Sequence, residues 1–241
     1  MGMPIVVDVR DDGVPADAVE RAFDWFREVD EIFSTYKESS DISRLNRGEL
    51  SLGDAHRDVR TVLALCEEMR LATNGYFDVH ASAPDSIDPS GLVKGWSVDR
   101  AAELLEEAGA RNYAINAGGD MRIAGRAVPE LDWRIGIEHP LERDRIAAVV
   151  ATGHGAIATS GAYIRGEHVL DPHTGQPPTG VLSVTITGPV LAVADAYATA
   201  AFAMGESGPR WTARLRGYEA LTIFADERVL STPRFPRAAD D

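Results

Sequence analysis

The stretch YAINAGGDMRIA, residues 113–124, decides the fold. Residues 113–116 and 121–124 read as two short strands, and the glycines between them mark the turn. Gly118 and Gly119 would let a ligand approach the backbone closely, and they would equally suit a hairpin turn that includes Asp120. More strands follow in series at 133–138, 146–151, 156–159 and 167–170, separated by Gly-rich or Pro-containing turns. Residues 181–187 are strand-like, and 220–225 with 228–231 read as a late hairpin.

Helices lie outside this run. Residues 15–34 form an amphipathic pattern with Val19, Phe23, Phe26, Val29 and Phe33 on one side, after a first strand at 5–9. The polar segment STYKESSDISRLN, residues 34–46, starts a turn or short helix. Helices are expected at 54–72, ended by Asn74 and Gly75, and at 95–107, closed by Gly109, with a Pro-, Ser- and Asp-rich loop at 79–90 between them. Pro189 opens a helix at 191–204, and a last one falls near 209–216. Runs of strands beside runs of helices, without regular alternation, indicate an α+β fold with mixed or antiparallel sheets and packed helices. No linker divides residues 1–241, which read as a single domain with a mobile tail at 233–241.

Composition narrows the function. At 241 residues and 44% apolar content the chain builds a sizeable core. A formal net charge of −14 argues against nucleic acid, whose affinity comes from phosphates neutralised by Lys and Arg. An anionic ligand needs local help from a metal, a helix N-terminus or a few placed cations. The single cysteine, Cys66, excludes an intrachain disulfide and a thiolate metal cluster, and its helical context reads as a core thiol. No apolar run spans a bilayer, and MGMPIVVDVR lacks a basic region followed by a hydrophobic one, so the expectation is a cytoplasmic protein with no membrane partner.

The helix LAVADAYATAAFAM, residues 191–204, is apolar almost all round yet carries Asp195 and Thr199. Positions i and i+4 share a face, so both oxygens point the same way among small alanines. Such hard oxygen ligands suit Mg²⁺. The alternative is that Asp195 caps a helix starting later and Thr199 bonds back to a carbonyl. In IDPSGLVKGWSVDRAAELL, residues 87–105, Gly91 and Gly95 flank Lys94 just before the expected helix, a setting for an anion or simply for a solvated lysine. His168, at a strand end before the turn residues Asp171, Pro172 and Gly175, could carry a proton near neutral pH or be a satisfied, partly buried side chain. Ser160 is a phosphate contact or a turn hydroxyl. No G-x-S-x-G elbow supports a serine hydrolase.

Taken in order, STYKESSDISRLN, NGYFDV, IDPSGLVKGWSVDRA, INAGGDMRIAG, WRIGIEHP, AIATSGAYIR, HVLDPHTGQP and VADAYATAAFAMG resemble the FAD:protein FMN transferases of the ApbE family over nearly the whole chain. The resemblance implies an ApbE-like, T-fold-related architecture and a role for each matching residue. Asp195, Thr199 and a backbone oxygen of Gly91 would bind Mg²⁺. Met1, Tyr36, Phe77, Asp78, Asp88, Lys94 and Val169 would contact FAD, with Ser160 a further candidate. His168 matches the histidine of the family's H-I-I-D-P motif and is the candidate general base, with Asp195 or Asp88 competing for that role.

The implied reaction moves FMN from FAD onto a Thr or Ser hydroxyl of an acceptor flavoprotein and releases AMP. Two alternatives share these residues: an FAD pyrophosphatase that uses water as nucleophile, and a non-catalytic flavin-binding protein. The sequence departs from the family where VHASAPDS, residues 79–86, stands in place of a long insertion with a W-G-F-G stretch. The family's lipoprotein signal is also absent, and its initial MGT reads MGM.

Overall fold

A computed structural model describes residues 2–81, 83, 85–142, 144–161 and 169–238. Nine strands occur among them: β1 (Ile5–Val9), β2 (Tyr113–Ala117), β3 (Asp120–Ala124), β4 (Trp133–Glu138), β5 (Ile146–Thr152), β6 (His154–Gly161), β7 (Val181–Gly188), β8 (Glu219–Phe224) and β9 (Val229–Ser231). The helices are α1 (Ala16–Phe33), α2 (Asp41–Asn46), α3 (Arg57–Ala72), α4 (Ser90–Glu107), α5 (Leu191–Ala203) and the short α6 (Gly208–Thr212). Seven strands make one sheet in the order β1-β2-β3-β6-β7-β8-β9, every neighbour antiparallel, and β4 pairs only with β5. The α+β reading holds, with the sheet antiparallel throughout.

Strand alternation sorts side chains to two faces. Ile115, Ala156, Ala158, Val184 and Ile186 pack with α1, α4 and α5. Ile123, Ile157, Leu221 and Ile223 pack on the other side with Trp133, Ile137 and Val150 of the β4–β5 hairpin. A third cluster is built mainly from helices: Val29, Val59, Val62, Leu92, Val93, Ala192, Ala196 and Ala200. α5 therefore has sheet on one side and helices on the other, which its nearly uniform apolar character requires. Among the described residues, no helix is long and apolar enough to cross a membrane.

Several boundaries differ from expectation for identifiable reasons. α4 begins at Ser90, not residue 95, with Pro89 at its N-cap position and the Asp88 carboxylate just ahead taking the Ser90 N–H at 3.0 Å. Gly91, Lys94 and Gly95 are thus inside the helix rather than ahead of it. α3 begins at Arg57, where the His56 ring accepts the Asp58 N–H. β6 extends from 154 to 161, and α6 stops at Thr212. Of the strand expected at 167–170, the described residues Val169 and Leu170 carry none.

The segment from Pro233, expected to be mobile, is held through Ala238. Pro236 accepts the Ala151 N–H at 2.9 Å, Ala238 donates to Val149 at 2.8 Å, and Phe235 is 8% exposed beneath them. Residues 239–241 lie outside the described residues.

Candidate functional site

The site begins with a close crossing of α4 and α5. A Cβ placed on Gly95 would lie 2.7 Å from the Ala192 backbone, so only glycine lets the helices meet this closely. Asp99, one turn further along α4, accepts the Leu191 and Ala192 N–H groups at 3.1 and 2.9 Å and so caps α5, whose own N-terminal residues offer no side-chain cap. Arg122 lies 3.6 Å from Asp99. Burial raises the Asp99 carboxyl above its ordinary value, against the two backbone donors and Arg122, which pull it down.

Held this way, α5 turns Asp195 and Thr199 toward α4. Asp195 is 3% exposed, which answers the alternative reading: the helix starts four residues earlier, and Asp195 is interior to it, not its cap. Gly91 lies opposite Thr199, with a Cβ there reaching 3.8 Å from Thr199 Oγ1 and 3.3 Å from the buried Phe77 ring. Ser160 shares the helix-facing side of β6 with Ala156 and Ala158, and its Oγ is 3.3 Å from Thr199 Oγ1. Asp195, Thr199, Gly91, Phe77 and Ser160 are thus brought together.

Lys94 joins them through an ion-pair cluster. Its Nζ lies 2.5 Å from Asp120 Oδ2 and 3.5 Å from Asp195 Oδ1. Asp120 is 2% exposed, and its Oδ1 accepts the Thr159 N–H at 3.0 Å. The sequence treats Asp120 only as a turn residue. The Gly118–Gly119 turn is indeed a hairpin, with φ of 61° and 101° and the Asn116 side chain accepting the Gly119 N–H, and it delivers Asp120 to the helix-facing side of the sheet. An acid directly after a Gly-Gly turn on an inward strand position is the signal that could have found it.

The remaining candidates frame this group. Asp88 accepts the Ser90 N–H at the start of α4. The preceding Ile87 is clamped by Asn46, whose side-chain amide donates to Ile87 O and accepts from Ile87 N, tying α2 to the front of α4. Asp78 accepts the His80 N–H at 2.9 Å. Val169 is buried in the sheet–helix core. Tyr36 stands 96% exposed beyond the end of α1. Met1 and His168 lie outside the described residues.

The Asp171 turn closes as the sequence suggests, and a residue with no role assigned there, His173, docks it: its ring packs 4.4 Å from Tyr76 and its Nε2 is 3.1 Å from Asn74 O. Cys66 is 2% exposed, and burial, with Asp88 adding to it, pushes its thiol up to about 12. It is a core thiol.

Asp195 and Thr199 carry hard oxygen atoms, the donor chemistry Mg²⁺ prefers, on the face of α5 opposite Gly91. Elsewhere, His139, Glu142 and Glu227 place potential ligand atoms within 4.8 Å of one another, but the two glutamates are exposed.

The chain matches the ApbE family over residues 1–86 and 80–222. An FAD:protein FMN transferase of Vibrio cholerae is 37% identical over 130 residues, 50% of this chain and 39% of that relative; the alignment thus spans well under half the relative's length. The structure superimposes on a flavin transferase ApbE from Vibrio cholerae with a TM-score of 0.85 at 24% identity, covering 98% of this chain and 95% of that one. The ApbE protein from Thermotoga maritima gives 0.87 at 22%, covering 98% and 97%. At these identities the structural likeness is one of fold.

Proposed function

This chain belongs to the ApbE family, and from that premise we propose that it transfers FMN from FAD to a Thr or Ser hydroxyl of an acceptor flavoprotein in a Mg²⁺-dependent reaction. The observation that carries the proposal is the meeting of Asp195, Thr199 and Gly91 across the α4–α5 crossing, beside the Lys94 ammonium. Asp195, Thr199 and the Gly91 carbonyl would hold the ion, which when bound supplies positive charge to the FAD pyrophosphate and its leaving group.

The acceptor hydroxyl attacks the FMN-side phosphorus. A new P–O bond forms, the bond to AMP breaks, and FMN stays on the acceptor as a phosphoester. The hydroxyl proton passes to a general base, for which His168 is the candidate on its motif. Lys94 adds a fixed cation within a protein of net charge −14, which otherwise repels a dinucleotide. Phe77, Asp78, Asp88, Ser160 and Val169 line the approach in this reading, with Tyr36 offering an open aromatic face for stacking.

Mass spectrometry of candidate flavoproteins after incubation with the protein, FAD and Mg²⁺ tests it. An added FMN on a Thr or Ser is the expected result. AMP and FMN released without any acceptor would replace the transferase reading with a pyrophosphatase, and FAD retained without turnover would leave a binding protein.

A further inference from the structure

We propose that Asp120 is a positioning residue that parks the Lys94 ammonium beside the cation site, so that Lys94 and the metal ion share the neighbourhood of Asp195 instead of competing for it. The inference rests on the metal reading above. Its basis is the asymmetry of the cluster: Lys94 Nζ is 2.5 Å from Asp120 but 3.5 Å from Asp195. An ammonium that close to a buried carboxylate is itself a cation bound at the site, and the carboxylate that holds it directly attracts other cations less.

Asp120 is built to win that contest. It is 2% exposed, its Oδ1 is fixed by the Thr159 N–H, and its backbone leaves a hairpin whose glycines both have positive φ. The carboxylate cannot follow Lys94 elsewhere. Lys94 has a flexible stem, and Asp195 is a second carboxylate already within 4 Å of it. With Asp120 neutral, Lys94 would close on Asp195 and weaken its hold on the ion.

The same arrangement sets the charge. Asp120, Lys94 and Asp195 together are formally −1, so a divalent ion turns the group to +1, the sign a pyrophosphate requires.

The test is a double-mutant cycle read by direct Mn²⁺ binding, using the electron paramagnetic resonance of free Mn²⁺, on the full chain, Asp120→Asn, Lys94→Met and the double variant. Asparagine keeps an oxygen for the Thr159 N–H, and thermal melts verify folding. Asp120→Asn is expected to weaken Mn²⁺ binding about tenfold with Lys94 present and less than about threefold in the Lys94→Met background, a non-additivity that a simple loss of charge does not produce.

Equal losses in both backgrounds overturn the positioning role. If Asp120→Asn fails to fold, Asp120→Glu replaces it. Retention of the carboxylate is expected to hold Mn²⁺ affinity within about threefold, and a tenfold loss overturns the proposal. An unmodified chain that binds no Mn²⁺ would instead overturn the metal reading itself, a result distinct from either.

Discussion

Gly95 of α4 lies flat against Ala192 of α5, with room for a hydrogen and none for a methyl group. The orientation of Asp195 and Thr199 depends on that contact. Gly95→Ala is expected to cost about 1–3 kcal/mol, the usual penalty for overpacking a tight interface, and to weaken metal binding by shifting α5. Chemical denaturation and Mn²⁺ titration measure the two effects. An unchanged midpoint would mean the helices tolerate separation.

Asp99 makes a prediction about pH. Its carboxyl is raised above the ordinary 3.8 by burial, so the folded protein binds this proton more tightly than the unfolded chain. Its contribution is therefore greatest below 3.8 and declines as pH rises through the raised native value. Asp99→Asn does not titrate. The stability difference between the unmodified protein and Asp99→Asn is expected to move in favour of asparagine between acidic and neutral pH, as followed by urea denaturation. A difference that moves the other way would mean the two backbone N–H donors and Arg122 outweigh burial.

Asp195→Asn is expected to abolish flavin transfer while leaving the thermal transition nearly unchanged or higher, since it removes a buried charge while Lys94 keeps Asp120. Activity that survives the change would remove Asp195 from the metal site.

Cys66 is expected to resist alkylation by iodoacetamide at neutral pH in the native protein and to react once denatured, because a thiol pushed up to about 12 and 2% exposed presents almost no thiolate. Rapid native modification, read by intact mass, would contradict its placement in the α3 core.

Phe235 anchors the C-terminal segment against the outer face of the sheet with Trp133 and Val150. Phe235→Ala is expected to destabilise the protein by about 3 kcal/mol, a core effect that a mobile tail would not show. Thermal and urea unfolding check it.

What the sequence made legible was local. Asp195 and Thr199 are four residues apart on one helix, so their shared face follows from helical period alone. Successive strands without intervening helices likewise announced the α+β class. The misread start of α4 has a different origin: Gly91 and Gly95 are poor helix formers, and Gly95 is required by α5, which is distant in sequence. Asp120 was hidden in the same way, since the strand register and the Lys94 stem together make it an ion-pair partner rather than a turn residue. The capping of α5 by Asp99 across 92 residues has no local sign at all.

That long-range cap also orders events during synthesis. α4 leaves the ribosome well before the helix it receives, with α1 already made and α5 still to come. Until β6 and α5 arrive, the apolar residues of nascent α4 that α1 does not cover stand open to chaperones or to other chains. Asp195 and Thr199 arrive with α5, so the group around Lys94 is completed late in the life of the nascent chain, and products that end before α5 contain Lys94 and Asp120 without Asp195.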